Sequence, residues 1–139
     1  MGEEILSREE MPIAREDDVV LVRRRVRAIA AEQKLDNFAT AAVTTATSEL
    51  TRNVWVHGGG GSAVVEQIRS AEGRVGLRVT FRDRGPGIAD IERVLRGGYS
   101  TAKSMGLGLS GSRRLVDELT IDSEVGVGTI VTFVKWRAF

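Results

Sequence analysis

Apolar residues in the first part of the chain recur at the helical period. Between Asp17 and about Lys34 they fall at Val19, Val22, Val26, Ile29 and Ala30, while Arg23, Arg24, Arg25 and Arg27 take the remaining directions. That spacing predicts an amphipathic helix with Asp17 or Asp18 as N-cap, its basic run forming a solvated face. A second stripe, Ala39, Val43, Ala46, Leu50 and Val54, predicts a helix from Asp36 to about His57, where the glycine run 58–61 stops it. The period then shortens to two. Residues 62–69 (SAVVEQIR) and 74–82 (RVGLRVTFR) predict strands, and the short turn Ala71-Glu72-Gly73 predicts that they pair as an antiparallel hairpin. Residues 9–14 are a further strand candidate. Beyond Asp83 the pattern predicts a glycine turn, a short helical piece around 91–95, an aperiodic, mobile loop over 96–105, a helix over 107–118 and closing strands at 119–122 and 128–136.

This order is not the regular strand–helix alternation of a doubly wound sheet. It predicts the α+β class, an α/β sandwich in which helices cover one face of a mixed, mostly antiparallel sheet. A length of 139 residues suits one domain spanning 1–139. Composition then narrows the chemistry. With 20 Lys and Arg against 19 Asp and Glu, the chain has no general attraction for nucleic acid or a membrane surface. The absence of cysteine removes disulfides, thiolate metal sites and cysteine nucleophiles, and the lone His57 argues against a histidine metal centre. No apolar run nears the ~20 residues of a membrane span, and the acidic start MGEEILSREE does not suit a signal peptide. A cytoplasmic location is the expectation.

Three stretches could serve one ligand. In SELTRNVWVH, Glu49 and Asn53 lie one helical turn apart and flank the apolar stripe. A carboxylate there could orient or deprotonate a hydroxyl or a water, and an amide oxygen could ligate Mg²⁺; ordinary helix-edge hydrogen bonds are the other reading. His57 reads as a packed histidine ending the helix. In FRDRGPGI, Asp83 ends an apolar strand, with Gly85, Gly87 and Ile88 just beyond. A carboxylate only accepts, so it suits the exocyclic amine of adenine, where guanine offers an acceptor; a plain Asp turn is the alternative. The glycines let backbone approach a flat ring or phosphates closely. Last, STAKSMGLGLSGSRRL holds Gly106, Gly108 and Gly111 at the G-x-G-x-x-G spacing. No strand leads into the first glycine and no Gly-Lys-Ser/Thr occurs, so neither a Rossmann turn nor a Walker loop fits. What remains is a glycine-rich loop opening a helix, whose free amides and positive dipole end suit phosphates. Ser100, Thr101, Lys103 and Ser104 would be its donors, with Gly106, Leu107, Gly108 and Leu109 at the helix start; tight turning alone is the other reading.

In chain order, E-L-x-x-N, D-x-G-x-G-I, G-L-G-L and a late G-T-x-x-x-F closely resemble the GHKL ATPase/kinase superfamily, with its N box, two glycine boxes and terminal threonine. Within it, the SELTRN box, the short lid and the following DEL resemble the anti-sigma serine/threonine kinases, most of all the RsbT-type switch kinases of the bacterial stressosome. The resemblance implies the Bergerat fold, with ATP between the helical layer and a flexible lid. It implies Glu49 as catalytic base, Asn53 as Mg²⁺ ligand and Asp83 as adenine reader. Gly85 and Gly87 would shape the base pocket, Gly106 and Gly108 the phosphate site, and Thr129 would support adenine beside Asp83. Lys103 is the candidate to meet the γ-phosphate, because phosphoryl transfer gains chiefly from positioning and charge neutralisation. Arg52 points away from the stripe, as a surface arginine or a contact for a protein substrate. Kinases of this type phosphorylate STAS-domain scaffold and antagonist proteins, then leave them and activate a PP2C-type phosphatase, which implies two protein partners used in turn. The alternative is an anti-sigma factor that sequesters a sigma subunit. A sensor histidine kinase fragment fits less well, since the sole histidine lies in the N box. The glycine run 58–61 departs from the family pattern and predicts a looser helix end near the nucleotide.

Overall fold

The structure is a computed structural model and describes residues 2–91 and 103–138, with the backbone alone over 103–107. Its elements are β1 (Glu4–Ile13), α1 (Asp18–Glu32), α2 (Asn37–Val56), β2 (Gly61–Arg69), β3 (Val75–Asp83), α3 (Lys103–Leu115), β4 (Glu118–Glu124) and β5 (Gly128–Trp136). The strands form a five-stranded sheet in the order β1-β2-β3-β5-β4. Each of its four pairings is antiparallel, so among the described residues the expected mixed, mostly antiparallel sheet has no parallel member. The piece expected around 91–95 and the loop expected over 96–105 fall mainly outside the described residues.

Alternate positions on one face of the sheet build the core. Ala63 and Val65 of β2, Leu77, Val79 and Phe81 of β3, and Val131 and Phe133 of β5 pack against Val22, Val26 and Ile29 of α1 and Val43, Ala46, Leu50 and Val54 of α2. The rings of Phe81 and Phe133 lie 6.1 Å apart, centroid to centroid. Both helical stripes therefore face the same layer, as their periods predict.

Several boundaries differ from the sequence expectation. β1 begins at Glu4 rather than near residue 9, because an edge strand exposes both faces over EILSR and so shows no alternation. At the start of α1 the Asp17 side chain makes no cap bond. Asp18 instead accepts from the amides of Ala14 (2.8 Å) and Arg15 (3.0 Å), fastening the preceding turn. Asp36 does cap α2, accepting from the Ala39 amide at 2.7 Å. α3 starts at Lys103 and ends at Leu115, against the expected 107–118, so Gly106, Leu107, Gly108 and Leu109 lie within the helix rather than at its mouth.

The far end of α2 is tied, not loose. The Gly58 amide reaches the carbonyls of Asn53 and Val54 at 3.2 and 3.1 Å, and the Gly60 amide reaches Val54 O at 2.9 Å. Orphan carbonyls of the last turn are thereby satisfied within the glycine run. Among the described residues no helix is long and apolar enough to cross a membrane. Phe133 is fully buried against Phe81, so Phe133→Ala should cost about 3–5 kcal/mol and lower the urea midpoint of unfolding correspondingly.

Candidate functional site

The end of the sheet nearest the C-terminus of α2 brings distant residues into one row. β3 pairs with β5 so that Asp83 faces Thr129, and β4 pairs with β5 so that Ser123 faces Thr129. Directly opposed residues point to the same side of a sheet, here the side covered by the helices. Above that row a cavity of about 20 Å³ is lined by Leu50, Asn53 and Val54 of α2, Phe81 and Asp83 of β3, Ile88, Leu109 of α3, and Thr129 and Val131 of β5. Five residues singled out from the sequence, Asn53, Asp83, Ile88, Leu109 and Thr129, thus share one mostly apolar chamber. Its volume holds about one water. A planar ring enters only if a wall moves, and Ile88 and Leu109 are the walls that belong neither to the sheet nor to α2.

Asp83 is half-buried at the chamber's end. Burial pushes its carboxyl above the ordinary carboxylate value, opposed by hydrogen bonds from the backbone of Gly85 and Thr129 and by the nearby His57. The Gly85 amide donates to Asp83 Oδ1 at 2.8 Å. Gly58 covers the same carboxylate: a β-carbon there would stand 2.7 Å from Asp83 Oδ2, too close for any side chain. Gly85 lies against the Gly58 backbone, and Gly87 against the Glu124 carbonyl, so both shape the turn without lining the chamber.

The second group of residues meets at Gly108. A β-carbon on this glycine would lie 3.2 Å from Asn53 Nδ2 and 3.4 Å from Glu49 Oε2, so the helix-forming glycine lets α3 settle directly onto Glu49 and Asn53 of α2. Glu49 is half-exposed and sits 3.7 Å from Arg52 Nη1 one turn on, which turns Arg52 toward the carboxylate. Asn53 Nδ2 is buried with no hydrogen-bond partner among the described residues. An orphaned buried amide is uncommon and marks a place where a ligand oxygen or water fits. The amide also fits an ion: its oxygen is a hard ligand of the kind Mg²⁺ takes, alongside phosphate oxygens and water. Among the described residues no cluster of three or more His, Cys, Asp or Glu side chains forms a protein-only metal cage. Ser100 and Thr101 lie outside the described residues, as do the side chains of Lys103, Ser104 and Leu107.

Sequence reasoning missed Gly58 and Ser123. The first was visible only as a helix stop. Ser123 gave no signal, yet its hydroxyl joins Ile88, Gly128 and Thr129. A separate open cleft of about 550 Å³, between Lys34–Ala39 and Arg74, Trp136 and Arg137, contains none of the candidate residues.

The raised carboxyl of Asp83 has a definite sign in stability. Its folded form holds a proton more tightly than the unfolded chain, so stability falls as pH rises from the unfolded value through the folded one and stays lower above it. Asp83→Asn should therefore melt higher than the wild type at pH 7 without ligand, and the gain should vanish below about pH 4 in thermal scans.

The chain is similar to known proteins over most of its length. The profile of the family described as histidine kinase-like ATPase domain matches residues 13–135. The serine/threonine-protein kinase RsbT of Bacillus subtilis is 40% identical over 124 residues, covering 89% of this chain and 92% of that protein. An anti-sigma F factor of a Thermoanaerobacter species is 28% identical over 99 residues, 69% of each chain. Among solved structures, the RsbU and RsbW domains of a Mycobacterium tuberculosis protein align with a TM-score of 0.62 at 23% identity, covering 95% of this chain and 33% of that longer one. The SiaB–SiaC complex of Pseudomonas aeruginosa aligns with a TM-score of 0.55 at 13% identity, covering 95% and 90%, a likeness of fold alone. The chain therefore belongs to the histidine kinase-like ATPase domain family and, within it, to the RsbT-type serine/threonine-protein kinases.

Proposed function

We propose that this protein binds ATP with Mg²⁺ in the chamber between α2 and the sheet and transfers its γ-phosphoryl group to a serine or threonine of a STAS-domain protein. The observation that carries this reading is the convergence of Asn53, Asp83, Ile88, Leu109 and Thr129 on one cavity, with Gly108 seated on Glu49 and Asn53 beside it. Asp83 accepts from the adenine amine. Ile88, Leu109 and Val131 are the apolar neighbours of the ring. The unpartnered Asn53 amide faces the polyphosphate, and its oxygen would hold Mg²⁺, whose charge would offset that of the phosphate oxygens. Gly85 and Gly87 support the base turn. Gly106 and Gly108 would form the phosphate site, and Ser100, Thr101, Lys103 and Leu107 would be further nucleotide contacts.

The substrate hydroxyl oxygen forms a bond to the γ-phosphorus as the bond from that phosphorus to the β,γ-bridging oxygen breaks. ADP leaves with the bond electrons, and the hydroxyl proton passes to the Glu49 carboxylate. Glu49 is exposed enough to reach an incoming protein, and its contact with Arg52 is long and solvent-accessible, hence easily exchanged for a substrate group. After transfer, the kinase is released to engage a PP2C-type phosphatase in the cytoplasm.

The similarity to an anti-sigma F factor supports a second reading, in which the same fold sequesters a sigma subunit and phosphorylates an antagonist. Co-purification with a sigma factor would favour that reading.

The test is label transfer from γ-labelled ATP to a purified STAS-domain protein. Glu49→Ala should lower the transfer rate by about 10²–10⁴-fold while leaving ATP binding measurable. Asp83→Ala should remove the heat of ATP binding in calorimetry. Undiminished transfer by Glu49→Ala, or intact ATP uptake by Asp83→Ala, would overturn the assignment.

A further inference from the structure

Ser123 lies in β4 directly opposite Thr129, behind the chamber rather than among its walls. Among the described residues its hydroxyl has three hydrogen-bonding neighbours. It accepts from the Ile88 amide at 2.7 Å, donates to the Gly128 carbonyl at 3.1 Å and stands 2.9 Å from Thr129 Oγ1. A serine hydroxyl has one proton and two lone pairs. With the proton on Gly128 O and one lone pair on the Ile88 amide, the second lone pair is left for Thr129, whose hydroxyl must then be the donor. Thr129 consequently turns only lone pairs toward the chamber it lines. Asp83, its cross-strand neighbour, already offers acceptors there.

We propose that Ser123 is a specificity-determining positioning residue: by receiving the Thr129 proton it makes the end wall of the chamber acceptor-only, selecting an amino-bearing purine over an oxo-purine. This rests on the nucleotide reading above. An exocyclic amine brings donors that an acceptor-only wall satisfies. A carbonyl at the same edge brings a further acceptor and leaves lone pairs facing lone pairs, the arrangement that buried polar sites reject most strongly. Removing the Ser123 hydroxyl changes the wall. The Thr129 proton loses its acceptor and becomes free to meet a carbonyl oxygen, so the oxo-purine gains a donor it did not have. The Ile88 amide loses its partner in the same step, which weakens both ligands alike and leaves their ratio as the diagnostic quantity.

The experiment is calorimetric binding of Mg-ATP and Mg-GTP to the wild type, Ser123→Ala, Ser123→Thr, Thr129→Val and the Ser123→Ala/Thr129→Val double variant. Ser123→Ala should reduce the ATP-over-GTP affinity ratio by about 10-fold, the scale of one hydrogen bond. Ser123→Thr, which keeps the hydroxyl, should restore it, and Ser123→Ala should have no further effect on the ratio once Thr129 is valine. Should Ser123→Ala fail to fold, Ser123→Cys carries the same expectation, since a thiol is a poor acceptor of similar size. An unchanged ratio overturns the proposal, whether both affinities fall together or neither moves. So does a change that persists in the Thr129→Val background. A wild-type protein that binds neither nucleotide overturns the nucleotide reading itself and the present proposal with it, and that control separates the two failures.

Discussion

The site depends on strand register. Asp83, Thr129 and Ser123 come from three strands, and antiparallel pairing alone sets them side by side. A slip of one residue would turn a strand's side chains to the opposite face and dissolve the group. What holds the register is the apolar ladder beneath. Phe81, Val131 and Ile121 form the next row, and Val79, Phe133 and Leu119 the row after it. The polar row is the last rung of that ladder, at the boundary between core and solvent. This position accounts for the two properties of Asp83, half-burial that raises its carboxyl and backbone amides that partly compensate.

The helical layer supplies the other half of the site under the same economy. α2 buries Val43, Ala46, Leu50 and Val54 against the sheet, and the flank of that stripe presents Glu49 and Asn53 toward α3. Packing the helix and placing the polar pair are therefore one event. Asp36 caps the helix at one end and the Gly58–Gly60 hydrogen bonds close it at the other, so backbone groups at both ends find partners. Gly58 has a double task there, ending the helix and lying flat on the Asp83 carboxylate.

Much of the fold could be read directly. α1 and α2 are long and periodic, and β5 matches its expected limits because its apolar alternation is bounded by glycine and a basic tail. The first half of β1 could not, since an edge strand with charges on both faces carries no period. The start of α3 was misplaced because Gly106 and the polar residues before it signal a break by propensity, whereas the helix begins at Lys103 and seats Gly108 against Asn53. In the site, Glu49 and Asn53 were readable as neighbours from helical spacing. The meeting of Asp83 with Thr129 came from family resemblance rather than from local pattern, and the packing of Gly108 on Glu49 and Asn53 came from neither. Ser123 escaped both routes, because its value arises from a cross-strand partner and from Ile88, thirty-five positions away.

A chamber of about 20 Å³ also has a consequence for time. Entry and departure of anything larger share one obstacle, the parting of its walls, and association that waits for such a rearrangement runs well below the collision rate.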